Sequence, residues 1–278
     1  DSIPPSTLSR VDEFLSRGGS VAIAMNRVTG NLQTATGTGL STGLEAWLAQ
    51  KGIVVEENFI ADASCGMVTV QQQQGVFTMQ SNVAFPFLPR VSNFADHPIT
   101  TGLENVLFEF VSSMRYSGDT TKRFTPIVYT SDKANAFGVP QYFDIQKNWS
   151  EADLPLRSLI LGATVEGNIS GTTQARMVVL ADGDFMVNGS PQSPRNLQPD
   201  NINLISNAID WLSDDTGLIA LRTKGVTSRP LDELEPATRG FLKYLNFLLP
   251  ILLVISYGLV RMQQNRMKRL KRMGENYE

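Results

Sequence analysis

Leu8, Val11, Phe14 and Leu15 recur at helical spacing, which predicts a helix over residues 6–18 that Gly18-Gly19 stops. Val21 to Met25 is an unbroken apolar run suited to a buried strand. Thr42 with Glu45 three residues later forms a capping box before Leu44, Trp47 and Leu48, and Gly52 closes that helix ahead of Ile53-Val54-Val55. Helix, strand, helix, strand predicts an α/β domain with a mostly parallel sheet flanked by helices. A chain that opens on a helix also predicts a strand before Asp1.

The middle of the chain is less regular. Met67 to Gln72 and Val76 to Gln80 predict a hairpin, with the GlnGlnGly segment as its turn and the Gln71–Gln74 run exposed there. Ala84 to Phe87 reads as an edge strand, because Pro86 cannot donate to a ladder. Val106 to Val111 and Pro126 to Thr130 are further strands, and residues 131–156, with Phe143 and Trp149, form an excursion over the sheet. Arg157 to Thr164 and Ala175 to Ala181 restore the buried-strand pattern. A last helix over Asn201 to Leu212 aligns Ile202, Ile205, Ile209 and Leu212 on one face.

The strongest signal is Tyr244 to Val260, which carries no charge; Phe241 and Leu242 lengthen it, with Lys243 able to snorkel, to the roughly 20 residues that span a bilayer core. Pro250 inside it is tolerated by membrane helices. Arg261, Arg266, Lys268, Arg269, Lys271 and Arg272 follow, against only Glu275 and Glu278, so the tail from 261 on is +4 in a chain of net charge −3. The positive-inside rule places that tail in the cytoplasm and the bulk of the chain across the membrane. The resulting division is an extracytoplasmic α/β domain over 1–222, a charged and Pro-containing stalk over 223–240, a transmembrane helix over 241–260 and a basic tail over 261–278. Export requires a signal or second span that Asp1-Ser2-Ile3-Pro4-Pro5 does not provide, which predicts a processed or fragmentary chain.

Composition narrows the chemistry. At 42% hydrophobic and 18% charged over 278 residues the chain can bury a core without staples. One cysteine, Cys65, excludes an internal disulfide, and one histidine, His97, excludes His-rich zinc sites. The acidic bulk does not suit nucleic acid. Thr36 to Leu40 (TGTGL) only loosely resembles a phosphate loop and has no lysine, so ATP hydrolysis is not expected of this chain. No cofactor is expected either.

Asp182-Gly183-Asp184 follows the run Met177 to Leu180, at the strand end where open α/β sheets place ligands. Asp182 and Asp184 could hold a divalent cation, with Asn188 near them, or could cap a turn around Gly183, which is the commoner use. Cys65 and His97 could form a thiol–imidazole pair, but neither sits in the local sequence such a pair uses, so no catalytic residue is assigned. Sequons at Asn148, Asn168 and Asn188 matter only in a secretory pathway.

Several segments, in order, resemble one family: RGGSVAIAM at 17–25, DHPITTGL at 96–103, VLADGDFMVN at 179–188, NINLISNAIDWL at 201–212, LIALRTK at 218–224, then the span and basic tail. Together they are similar to the gliding-motility ABC-transporter auxiliary subunits (GldG-like). The resemblance implies an extracytoplasmic α/β domain related to class I glutamine amidotransferases without their triad. It also implies a non-catalytic subunit of the bacterial inner membrane, partnered by an ABC permease and a cytoplasmic ATPase, with a periplasmic domain that meets substrate or envelope proteins. The rivals are an anchored periplasmic hydrolase using Asp182 and Asp184 with a metal, and a ligand-binding sensor.

Overall fold

In chain order the elements are α1 (Pro5–Ser16), β1 (Ser20–Ala24), β2 (Val28–Asn31), β3 (Thr36–Gly39), α2 (Leu44–Gln50), β4 (Ile53–Val55), β5 (Asn58–Asp62), β6 (Cys65–Gln74), β7 (Phe77–Val91), β8 (Asn93–Phe94), β9 (Val106–Leu107), β10 (Met114–Tyr116), β11 (Lys122–Tyr129), β12 (Ala134–Gly138), β13 (Gln141–Tyr142), β14 (Ile160–Gly167), β15 (Ala175–Leu180), α3 (Pro199–Ser213) and α4 (Pro236–Gly274). The computed structural model describes residues 2–74, 77–118, 120–190, 193–194, 197–214 and 236–274. It divides into two units, Asp1–Ser228 and Arg229–Glu278.

The largest sheet runs β1-β15-β14-β11-β8. Only β1 and β15 pair in parallel; β15–β14, β14–β11 and β11–β8 are all antiparallel. The remaining strands form small antiparallel sheets: β4 with β10, β5 with β12, β13-β3-β2 and β6-β7-β9. The expected mostly parallel sheet flanked by helices is therefore wrong. The fold is a mixed α/β arrangement of several small, mainly antiparallel sheets. Two connections explain it. The β2–β3 hairpin carries the chain away after β1, so β4 joins β10 and not β1. The short link from Gly167 to Ala175 permits only an antiparallel return, since a parallel one needs a crossover of about a dozen residues or more.

Most strand and helix positions follow the hydrophobic pattern, with three instructive exceptions. Gln71–Gln74 lie in strand β6, paired with Phe77–Gln80, and not in a turn. Phe85–Phe87 belong to a strand with neighbours on both sides; Pro86 is accommodated where the ladder jumps, Gly66 opposing Phe85 and Cys65 opposing Pro89. Of the run Val106 to Val111 only Val106–Leu107 are strand, because Phe110 turns the backbone to φ 53°.

Two apolar cores result. The larger packs Leu15, Trp47, Leu48, Ile127, Leu161, Met177, Val179 and Leu204 against the central sheet. The smaller is aromatic: Phe59, Phe85, Phe87 and Phe143 meet at edge-to-face or tilted angles with centroids 4.9–6.3 Å apart. Phe110 stacks on Phe143 at 5.2 Å. Gly37 of β3 sits under these rings, and a Cβ there would come within 2.3 Å of Phe59. The glycines of TGTGL thus admit rings in a hairpin strand and do not form a phosphate loop.

In α3 the apolar stripe is only in part the buried face: Ile205 and Leu212 pack against the core. Ile202 and Ile209 are about half exposed, while Asp200, Asn201, Leu204, Asn207, Ala208 and Trp211 are buried.

The second unit holds α4. Its 39 residues run unbroken through Pro250 and into the basic segment, and the stretch Gly240–Leu270 is long and apolar enough to cross a membrane. At 1.5 Å per residue the whole helix is about 58 Å long, so the tail from 261 to Gly274 continues it. The expected stalk lies outside the described residues as far as 235, and its last residues, 236–240, are the first turns of α4.

Candidate functional site

The two residues proposed from sequence do meet at the carboxyl ends of the parallel pair, but their carboxylates are committed to the fold. Asp182 is fully buried. Its Oδ1 accepts the backbone N–H groups of Asp184 and Phe185 at 2.7 and 3.2 Å, and its Oδ2 accepts that of Glu109 at 2.6 Å. Burial pushes its carboxyl up to about 7 despite the Glu109 and Asp184 N–H donors, and the charges of Asp184 and Glu109 add to the rise. Asp184 takes a hydrogen bond from Asn26 Nδ2 at 2.7 Å, and Asn26 Oδ1 accepts from Gly183 N–H at 2.6 Å. This arrangement closes the turn after β15 onto β1. Among the described residues no group of three or more His, Cys, Asp or Glu side chains is placed to hold a metal ion.

Cys65 and His97 serve separate neighbourhoods. His97 packs edge-on against Trp211 at 5.2 Å, and its Nδ1 accepts the Ile99 N–H at 3.2 Å. Burial holds its imidazole below the usual value. Cys65 lines a cleft that does not include His97.

That cleft is one of several concave features of the domain. It measures about 470 Å³ and is walled by Ala63, Cys65, Val83, Ala84, Pro86 and Leu154, with Trp149 at its side. Its rim is charged but paired: Lys133 Nζ reaches Glu151 Oε1 at 2.5 Å, and Lys147 Nζ reaches Asp153 Oδ1 at 2.7 Å. Lys147 also lies over the Trp149 ring, 4.2 Å from its centroid. The bond from Lys147 holds the Asp153 carboxyl well below the usual carboxylate range. The Asp153 side chain also accepts from the Ser150 N–H and hydroxyl, which closes the loop on itself. An apolar floor, one large aromatic and a ring of paired charges suit a ligand or peptide with an apolar body. The cleft volume falls within the range of small-molecule sites. The sequence marks Trp149 but does not bring it to Cys65, since the pocket is assembled from β6, β7 and the loop after β13.

Residues 1–214 match the family model described as an ABC-type uncharacterized transport system. The chain belongs to this family. Family membership makes it an auxiliary component of an ABC-type transport system, and α4, a candidate membrane span, follows the matched residues. No curated protein matches the transport-family chain. A solved structure, the mmIFT52 N-terminal domain, aligns with a TM-score of 0.46 at 11% identity, over 78% of this chain and 75% of that one.

Proposed function

We propose that this chain is a non-catalytic, membrane-anchored subunit of a bacterial ABC transporter of the gliding-motility type. The observation that carries the reading is the family match over residues 1–214, followed by a helix that from Phe241 to Val260 carries one charge, Lys243, and is basic beyond it. In this reading residues 1–222 form a periplasmic domain, 223–240 a stalk, 241–260 the span of the inner membrane and 261–278 a cytoplasmic tail, in keeping with the positive-inside rule. The span would pack against an ABC permease, and a separate cytoplasmic ATPase would supply energy. The Trp149 cleft is the surface we assign to contact with substrate or an envelope protein. The commitment of Asp182 to three backbone N–H groups favours a structural use of the DGD turn over a metal-dependent hydrolase.

Affinity purification of the tagged chain in mild detergent tests this. Permease and ATPase chains should co-purify in fixed ratio, and a chain isolated without either would discard the transporter role.

A further inference from the structure

Between Asp62 and Arg90 no residue carries a charge, in a chain that is 18% charged. This neutral stretch is the β6–β7 ribbon, paired from Cys65–Pro89 to Gln74–Phe77. Among the described residues β7 meets a further strand, β9, only at Arg90 and Val91, and β6 is the outer strand of its sheet. An edge strand of this length is ordinarily protected by Lys, Pro or a mid-strand bulge. β6 has no Lys or Pro, and its only register shift is at its base, between Cys65 and Gly66. A two-stranded ribbon is marginal in water, whereas three or more strands hold together.

We propose that β6 pairs antiparallel with β6 of a second copy of this chain, about a two-fold axis passing through Thr69. An axis normal to the sheet sets each residue opposite one from the same face of its twin. Centring on Thr69 puts Thr69 against itself and Val68 against Val70, pairs that favour a sheet. Met67 is 68% exposed and Thr69 is exposed on one face, while Val68 and Val70 lie half-buried on the other. In this register Val68 and Val70 bring apolar side chains together, while Met67 falls opposite Gln71.

Charge selects the occupant. In a self-paired strand each residue meets a residue of the same short sequence, so one charge near the centre would oppose its own copy. A strand neutral throughout, as β6 is, brings no like charges together about that axis. Ten residues at about 3.3 Å each give an edge of roughly 33 Å, and two ribbons joined along it make a four-stranded sheet.

Light scattering on the full chain in detergent is the test. The wild type should run as a dimer, and Thr69→Lys and Thr69→Asp should each weaken association about tenfold or more, because like charges then face each other. Mixing the two variants should restore a heterodimer. A wild type that is monomeric at every concentration, a Thr69→Lys chain as dimeric as wild type, or a mixture that stays monomeric overturns the proposal. Should either charged variant lose its circular-dichroism signature, Cys65→Ser with Thr69→Cys replaces it. That chain should form an intermolecular disulfide under mild oxidation, and failure to do so overturns the pairing.

Discussion

Asn26 and Asp184 join the ends of the parallel pair β1 and β15: Asn26 Nδ2 donates to Asp184 Oδ2 at 2.7 Å while its Oδ1 accepts the Gly183 N–H. β1 is held at its other side by no strand in the central sheet, so this clasp fixes how the chain leaves β15 above it. Asn26→Ala removes both bonds and leaves the Gly183 N–H without its acceptor. We expect a loss of about 1–3 kcal/mol, read as a lower urea midpoint at unchanged slope.

Asp182 gives the domain a pH dependence of defined sign. Its folded carboxyl is raised from the ordinary 3.8 to about 7, so the folded state binds the proton more tightly than the unfolded chain. The associated stability is complete below the unfolded value, and falls as pH rises through the window from about 4 to about 7. Melting temperature should decline across that window in the wild type. Asp182→Asn cannot ionise and should be flatter there. Its amide can accept from only one side, so it should also melt lower than wild type at pH 5. A wild-type profile parallel to that of Asp182→Asn from pH 4 to 8 would contradict this.

Legibility in the sequence divides along the same physical line. Helices α1 and α2 and strands β1, β11, β14 and β15 are written locally, in apolar spacing and in Gly18 and Gly52 with positive φ at the helix ends. The Thr42–Glu45 box forms in part: Glu45 accepts the Thr42 N–H at 3.1 Å, but the helix starts at Leu44 with Gly43 as its cap. Pairing partners are not local, and a parallel sheet was the wrong inference because nothing near β4 announces β10. The polar residues of α3 are illegible for a related reason: Asp200, Asn201 and Asn207 go inside because the main chain of 99–107, and Phe185, supply their partners. The Trp149 cleft brings together segments more than sixty residues apart, and no spacing in the sequence encodes that.

The inward polar face of α3 predicts an unusual stability pattern for a surface helix. Asn201 accepts the Leu107 N–H at 3.0 Å and donates to the carbonyls of Leu107 and Phe185 at 2.8 and 2.6 Å. Asp200 accepts the N–H groups of Glu104 and Asn105. Asn201→Ala removes the partners of three backbone groups, one buried and two part-buried, and should cost about 3 kcal/mol. Ile209→Ala, on the exposed side, should cost about 0.5 kcal/mol or less. Chemical denaturation of the two variants side by side checks the order, and an Ile209 effect larger than that of Asn201 would restore the isoleucine stripe as the packed face.

Gly37 separates the structural use of TGTGL from a nucleotide-binding one. Its missing Cβ would fall 2.3 Å from Phe59 and 2.7 Å from Phe143, both buried rings in the aromatic core. Neither ring can swing away without displacing Phe87, which packs against both, and Phe85 also packs against Phe143. Gly37→Ala therefore overpacks that core and should destabilise by about 1–3 kcal/mol. Gly39, whose added Cβ would meet the half-exposed Glu57 side chain, should tolerate alanine better because a flexible carboxylate can move aside. If these glycines instead cradled phosphate, ATP would raise the melting temperature of the wild type and both substitutions would abolish that rise. We expect no ATP-dependent shift in any of the three proteins, and a melting point lowered far more by Gly37→Ala than by Gly39→Ala.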